Sequence, residues 1–228
     1  MEEIDYERMN GKIAYSEEFK KLSGKNSIIL GFRTASDMAR EVENKASHIA
    51  INSGVYNNYY CETLALANYI GLPAYGMEGR EVLDEMFNGN YSQAEINIKV
   101  LKKLLGKVPE KLQADLRSLE NGDLEQMSNE ARCVYYAQEI LENINLLTET
   151  EKQKLGGVTL GNVLVEDLKL DENGALKPGS FYQKVNNAMK KRKGKRIESR
   201  RERAKNFFDV KITDAITDEQ EIEKILEK

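Results

Sequence analysis

Short apolar runs flank an amphipathic stretch near the start of the chain. Residues 28–32 (IILGF) form an apolar run of strand length, and Thr34 and Ser36 follow it with hydroxyl groups that can cap a helix. Apolar residues then recur every four positions from Met38 to Ala46, before a second strand-like run at residues 48–51 (HIAI). The connection is long enough for a short crossover helix, so the pattern predicts a β-α-β unit with parallel strands.

From residue 58 to residue 155 the apolar positions follow the period of amphipathic helices. Ser92 and Glu95 form a capping box before one helix, and Pro109 suits the first position of another. The pattern predicts a helical region without any strand longer than three residues. It also predicts that four apolar side chains are buried: Leu101, Leu116, Val134 and Leu141.

The last third of the chain returns to alternating positions. Residues 163–176 alternate apolar and polar side chains on either side of the turn sequence DENG, which predicts a β-hairpin. Ser180 can cap the basic helix that follows, and residues 208–212 alternate again as a last strand. A capping box at Thr217 and Gln220 predicts a closing helix.

Together these elements predict an α+β fold that is predominantly helical, with a small mixed sheet built from the N-terminal β-α-β unit and the C-terminal strands. The chain divides into an N-terminal β-α-β segment (residues 1–57), a helical region (58–155) and a C-terminal segment (156–228) with the hairpin, basic helix, strand and closing helix. These segments form one compact domain or two intimately packed subdomains, since 228 residues suffice for one large core.

Composition indicates a cytoplasmic protein. Apolar residues make up 40 % of the chain, and the two cysteines lie far apart, as is usual in a reducing compartment. The N-terminus is acidic and no apolar run is long enough for a membrane span, so no membrane contact is expected. The richness in Lys, Glu, Asn and Ile is typical of AT-rich bacterial or phage genomes.

Positive charge is concentrated near the C-terminus. Eleven of the 22 residues from Lys184 to Lys205 are Lys or Arg, although the whole chain carries a net charge of −4. Such a field predicts a polyanionic partner, either nucleic acid or an acidic protein surface, including the protein's own acidic helices. The predicted polyanion-binding residues are Lys190, Lys191, Arg192, Lys193, Lys195, Arg196, Arg200, Arg201, Arg203 and Lys205.

The turn after the first predicted strand is a candidate anion- or nucleotide-binding site. Arg33, Thr34 and Ser36 stand just before a helix N-terminus, where backbone amides and the helix dipole favour an anion. The glycine spacing of a dinucleotide-binding or P-loop motif is missing, so an ordinary capped helix with an exposed arginine explains the same residues.

Tyr56, Tyr59 and Tyr60 form a candidate interface, because tyrosine is enriched at protein contacts. The alternative is that one or two of these rings close the core. His48, the single histidine, and Cys61, at the start of a predicted helix, could form a base and nucleophile, but an apolar strand more often holds a structural histidine. No catalytic residue is assigned, and no metal site or cofactor is predicted.

The sequence therefore favours a soluble binding or regulatory protein of bacterial or phage type, whose basic helix engages nucleic acid or an acidic protein partner, over an enzyme. One alternative is an enzyme or nucleotide sensor with an anion site at the turn around Arg33. Another is a structural assembly subunit, a homo-oligomer in which the basic helix of one copy meets the acidic surface of the next.

Overall fold

The computed structural model describes residues 4–23, 28–29, 33–55, 57–73, 76–155 and 157–215. In these ranges the chain is predominantly helical. The helices are α1 (Tyr6–Ala14), α2 (Glu17–Lys21), α3 (Ala35–Ser53), α4 (Asn58–Tyr69), α5 (Gly76–Met86), α6 (Gln93–Leu105), α7 (Glu110–Asn121), α8 (Asn129–Asn145), α9 (Glu149–Leu155), α10 (Gly157–Glu166) and α11 (Ser180–Ala215).

The strands form two short antiparallel pairs. They are β1 (Ile28–Ile29) with β2 (Arg33–Thr34), and β3 (Leu168–Leu170) with β4 (Leu176–Pro178). A small sheet on a helical fold is confirmed. The predicted N-terminal β-α-β unit is wrong, because residues 48–51 continue α3, and β1 pairs with its immediate neighbour β2. The predicted sheet joining both ends of the chain is likewise not formed, since β1–β2 and β3–β4 are separate.

The hairpin near residue 170 begins a few residues later than the alternating pattern predicts. Residues 163–166 end α10, and the two strands are only three residues long. Leu170 pairs with Leu176 across the turn. Gly174 adopts a φ of 73°, the left-handed conformation that the predicted turn requires.

Helices α3, α4 and α8 pack together at the centre of the molecule. Their apolar stripes are buried, and the four predicted core side chains Leu101, Leu116, Val134 and Leu141 are all buried. Within residues 58–73 and 76–155 the structure has no strand. The helical period therefore gave the right structure for this region, because it is repeated over many turns.

The basic segment lies within a single helix, α11, which runs for 36 residues. Residues 208–212, predicted as a strand, continue this helix. The predicted closing helix at Thr217 lies outside the described residues. Helix α11 packs along α5 and contacts α8. Among the described residues, none of the helices is long and apolar enough to span a membrane.

Candidate functional site

Three hydroxyl groups meet at the N-terminus of α3. The Ser36 hydroxyl lies 2.7 Å from that of Ser23 and 2.9 Å from that of Thr34. Ser36 is buried, whereas Ser23 is exposed and Thr34 is half-buried. The chain folds this way because Thr34 is the N-cap of α3 and accepts a hydrogen bond from the Asp37 amide. Ser36 thus fixes two hydroxyl groups that solvent or a ligand can reach.

Asp37 completes the turn. Its carboxylate accepts a hydrogen bond of 2.8 Å from the Thr34 hydroxyl and a longer one of 3.4 Å from the Thr34 amide. The sequence predicted the helix start but not this carboxylate, which is exposed beside the hydroxyl groups. In proteins Mg²⁺ is usually bound through one or two carboxylates together with waters and the phosphates of a substrate. The turn therefore suits a phosphate that arrives with its magnesium ion better than a bare anion.

Arg33 lies in β2, where it pairs with Ile29. Only its backbone belongs to the described part of the chain. Since Arg33 immediately precedes the N-cap of α3, its backbone holds it beside the hydroxyl groups. The prediction that its side chain binds an anion stays a prediction.

Polar residues continue from this turn along one face of α3. Asp37, Glu41, Lys45 and His48 are spaced four, four and three residues apart, which places them on a single helical stripe. The stripe ends at a groove of about 380 Å³ between α3, α8 and α10. The groove is lined by Glu41, Asn44, Lys45, His48, Leu141, Ile144 and Gly161.

The floor of this groove is apolar and its rim is charged. Gly161 lies so close to Ile144 that an added Cβ would sit 3.1 Å from the Ile144 Cδ1 atom, so the absence of a side chain there keeps the groove open. Burial lowers the pKa of the Lys45 amine, and the nearby Glu41 carboxylate partly opposes that effect. His48, predicted in a buried strand, is instead exposed on the rim.

His48 and Cys61 do not form a base and nucleophile. Cys61 does lie in the first turn of α4, as predicted, but its side chain is fully buried. A hydrogen bond with Cys133, together with burial, raises the pKa of the Cys61 thiol. The expected lowering of this pKa by the helix dipole is therefore outweighed, and the thiol is inert.

The candidate interface tyrosines lie in different environments. Tyr60 is fully buried and belongs to the core, where its ring packs edge-on against Tyr6 at 4.7 Å. Tyr59 is 46 % exposed and can reach a partner. Tyr56 lies outside the described residues.

Among the predicted polyanion-binding residues whose side chains the structure describes, Arg192 and Arg201 pair with the protein's own acidic side chains. Arg192 donates two hydrogen bonds of 2.8 and 2.7 Å to the Glu151 carboxylate of α9. Arg201 pairs with Glu85 of α5. Lys190 and Lys205 are exposed, and Arg203 is also exposed. The side chains of Lys191, Lys193, Lys195, Arg196 and Arg200 lie outside what the structure describes. The basic face therefore serves, at least at two points, to hold α11 on the molecule.

Two curated proteins are similar to part of the chain. No protein-family model matches the chain. It is 26 % identical over 117 residues to deoxyguanosinetriphosphate triphosphohydrolase-like protein 1 of Deinococcus radiodurans, covering 46 % of this chain. It is 29 % identical over 105 residues to the deoxyguanosinetriphosphate triphosphohydrolase-like protein of Caldanaerobacter subterraneus, covering 44 % of this chain. The chain spans 31 % of the length of each of these relatives.

This similarity corrects the main functional prediction. A non-enzymatic binding protein that acts through its basic helix is contradicted, because both relatives carry the name of a hydrolase of a nucleoside triphosphate. The alternative of an enzyme or nucleotide sensor is favoured instead. The sequence analysis does not predict the stripe on α3, because it assigns residues 48–51 to a strand. The predicted helix therefore ends before His48, which lines the groove. The spacing of Asp37, Glu41, Lys45 and His48 was the signal that could have revealed it.

Proposed function

We propose that this protein binds a deoxynucleoside triphosphate along α3, with the triphosphate at the Arg33 turn and the nucleoside in the groove beside His48. The single observation that carries the proposal is the polar stripe on α3, which starts at a cluster of hydroxyl groups and ends at an open groove. The names of the two relatives supply the substrate class.

The triphosphate end rests on three kinds of group. The amides at the start of α3 and the helix dipole favour negative charge, and Arg33, the residue before the N-cap, adds a side chain that is positively charged at neutral pH. The hydroxyls of Ser23 and Thr34 can donate to phosphate oxygens. The Asp37 carboxylate would repel a bare phosphate, but it can take part in binding the Mg²⁺ that a triphosphate brings with it.

The proposed position of the nucleoside follows from the shape of the groove and from its distance to the Arg33 turn. Asp37 and Lys45 are eight residues apart on the helix, so the stripe between them is about 12 Å long. A base can lie on the apolar floor formed by Leu141 and Ile144, while Lys45 and His48 bind polar atoms of the sugar or the phosphates. The partly buried Lys45 amine is weakly hydrated, which favours a direct contact with a ligand.

The test is binding of dGTP with Mg²⁺, measured by calorimetry and by the shift in unfolding temperature. We expect Arg33→Ala and Lys45→Gln each to weaken binding by about 10-fold, the loss of one charge-assisted contact. The matched controls are Arg8→Ala on α1 and Lys99→Gln on α6, which remove the same charges from exposed positions outside the stripe. They should leave the affinity unchanged.

The same samples distinguish a hydrolase from a sensor. Chromatography of the nucleotide after incubation would reveal deoxyguanosine and inorganic triphosphate for a triphosphohydrolase, dGDP and phosphate for a hydrolase that removes the terminal phosphate, and unchanged dGTP for a sensor. If no deoxynucleoside triphosphate binds the wild-type protein, with or without Mg²⁺, the proposed function is wrong. Binding that neither Arg33→Ala nor Lys45→Gln weakens would refute the α3 site while keeping the nucleotide class.

A further inference from the structure

A second cavity lies between α8 and the first turns of α11. It has a volume of about 300 Å³, which is at the lower end of the range for small-molecule sites. Helix α8 contributes Tyr135, Tyr136 and Glu139, and the first turns of α11 contribute Tyr182 and Asn186. The remaining lining residues are Leu124, Pro178, Gln183 and Asn187.

The three tyrosines form perpendicular aromatic walls. The ring of Tyr136 stands edge-on to Tyr135, with centroids 5.5 Å apart and an angle of 79° between the planes. It stands in the same way to Tyr182, at 5.6 Å and 78°. Tyr136 and Tyr182 are almost completely buried, so these rings are fixed by packing, while the ring of Tyr135 is half-buried and borders the opening.

Hydrogen bonds hold a carboxylate between these walls. The Tyr182 hydroxyl donates to Glu139 Oε2 at 3.2 Å, and the Asn186 amide donates to Glu139 Oε1 at 3.4 Å. Both of these donors come from α11, and Tyr135 of α8 also hydrogen-bonds Glu139, so packing of α11 on α8 orients the carboxylate. The same packing raises the pKa values of Tyr135 and Tyr136 to about 12, chiefly by burial, so both phenols are neutral hydrogen-bonding groups at pH 7.

The charge of the lining decides the class of ligand. Glu139 is the one charged residue among the nine that line this cavity. Arg132, one turn before Tyr136 on α8, directs its guanidinium to the carbonyl oxygens of Leu124 and Leu176 instead. Aromatic faces and a carboxylate attract cations, and a planar cation can stack on a ring while it donates two hydrogen bonds to the carboxylate.

We propose that this cavity between α8 and α11 binds a guanidinium group, stacked on the Tyr135 ring and paired with the Glu139 carboxylate. The group can belong to a small free molecule or to an arginine side chain of a peptide, since both present the same flat donor. The site is separate from the nucleotide site on α3, because the two cavities share no lining residue, although both use side chains of α8. The residues that line the cavity include no Lys, Arg or His that would attract an anionic ligand.

The probes are agmatine, which carries a free guanidinium, and N-acetyl-arginine amide, which presents one as a peptide does. Putrescine is the control, because it has an ammonium in place of the guanidinium. Calorimetry at 150 mM salt screens the general attraction of cations to an acidic protein. We expect saturable binding of agmatine or the arginine amide, and binding of putrescine at least about 10-fold weaker. Whichever guanidinium probe binds more tightly identifies the source.

Variants tie the binding to this cavity. Glu139→Gln should weaken agmatine binding by about 10-fold or more, whereas Glu130→Gln, the same change at the start of α8, should leave it unchanged. Because Glu139→Gln also alters two hydrogen bonds, a second variant is needed. Asn187 is exposed on the rim, and its side chain makes no hydrogen bond within the described residues, so Asn187→Trp fills the cavity without disturbing its frame.

Asn187→Trp should abolish binding in a protein with an unchanged unfolding temperature. The proposal is overturned if neither guanidinium probe binds saturably up to about 10 mM, a Kd at which binding is worth under about 3 kcal/mol. Equal binding of putrescine would overturn the guanidinium class. Unchanged agmatine binding by Asn187→Trp would overturn the location.

Discussion

The Tyr60 hydroxyl donates a hydrogen bond of 2.7 Å to the Asp115 carboxylate, joining α4 to α7 inside the core. The Ser128 hydroxyl, at the start of α8, donates to the same oxygen at 2.9 Å. One buried carboxylate therefore connects three helices. Burial raises the pKa of Asp115, and the hydrogen bonds from Tyr60 and Ser128 oppose that rise without cancelling it.

The first prediction concerns this carboxylate. Because the pKa of Asp115 is higher in the folded protein than its value of 3.8 in an unfolded chain, the folded state binds the proton more tightly. The wild-type protein should gain stability relative to Asp115→Asn as the pH falls towards 3.8. The gain should be about 1.4 kcal/mol for each unit by which the pKa is raised.

Urea unfolding of the two proteins between pH 7 and pH 4 measures this difference. Asparagine can still accept the hydrogen bonds from Tyr60 and Ser128, so the variant should fold. Parallel stability curves for the two proteins would show that Asp115 has the same pKa in the folded and unfolded states.

A second prediction concerns the pair of Arg192 and Glu151. The hydrogen bonds from Arg192, together with those from the Thr148 amide and hydroxyl, lower the pKa of Glu151 from 4.5 to about 2. The stabilisation is therefore complete above pH 4.5 and is lost as the pH falls from 4.5 to about 2. Over that range the wild-type protein should lose stability relative to Glu151→Gln.

Thermal unfolding at pH 6, 4 and 3 provides the measurement. Glu149→Gln is the matched control, since Glu149 lies on the same helix and pairs with Lys152 within one turn. Added salt should shrink the effect of Glu151→Gln, because the pair lies on the surface. If the two glutamate variants behave alike at every pH, α11 is not held by this pair.

The third prediction concerns the thiols. Cys61 on α4 and Cys133 on α8 are both fully buried, and their mutual hydrogen bond raises the pKa of Cys61. A thiol reagent should label the native protein about 100-fold or more slowly than the protein in denaturant, because reaction requires the core to open. Rapid labelling of Cys61 at neutral pH in the folded protein would restore it as a candidate nucleophile.

Helices could be predicted wherever the period persisted over several turns. Leu101, Leu116 and Val134 lie on the apolar stripes of α6, α7 and α8, and each helix is bounded by capping residues. All three side chains are buried. The run at residues 48–51 had no such context, since four consecutive residues fit a strand or a buried helix equally well. In α3 Ile49 is buried while Ile51 is 67 % exposed, which is the outcome of a helical period.

The candidate site was partly predictable for a related reason. Thr34 and Ser36 indicate a helix start by their chemistry alone, because short hydroxyl side chains accept hydrogen bonds from the unpaired backbone amides at a helix N-terminus. Lys45 and His48 line a groove only because α3 extends past residue 48 and α10 supplies Gly161. The contact of α3 with α10 depends on tertiary packing, so a local sequence pattern cannot predict it.

The contact between α5 and α11 has a consequence for protein synthesis. Glu85 and Arg201 are 116 residues apart in the chain, and Val82 of α5 and Ala204 of α11 are both buried. At the usual rates of elongation, about 6 to 23 s pass between the synthesis of α5 and the synthesis of the part of α11 that packs on it. During that interval its apolar face is open to chaperones, and a ribosome that stalls before α11 would leave this face exposed.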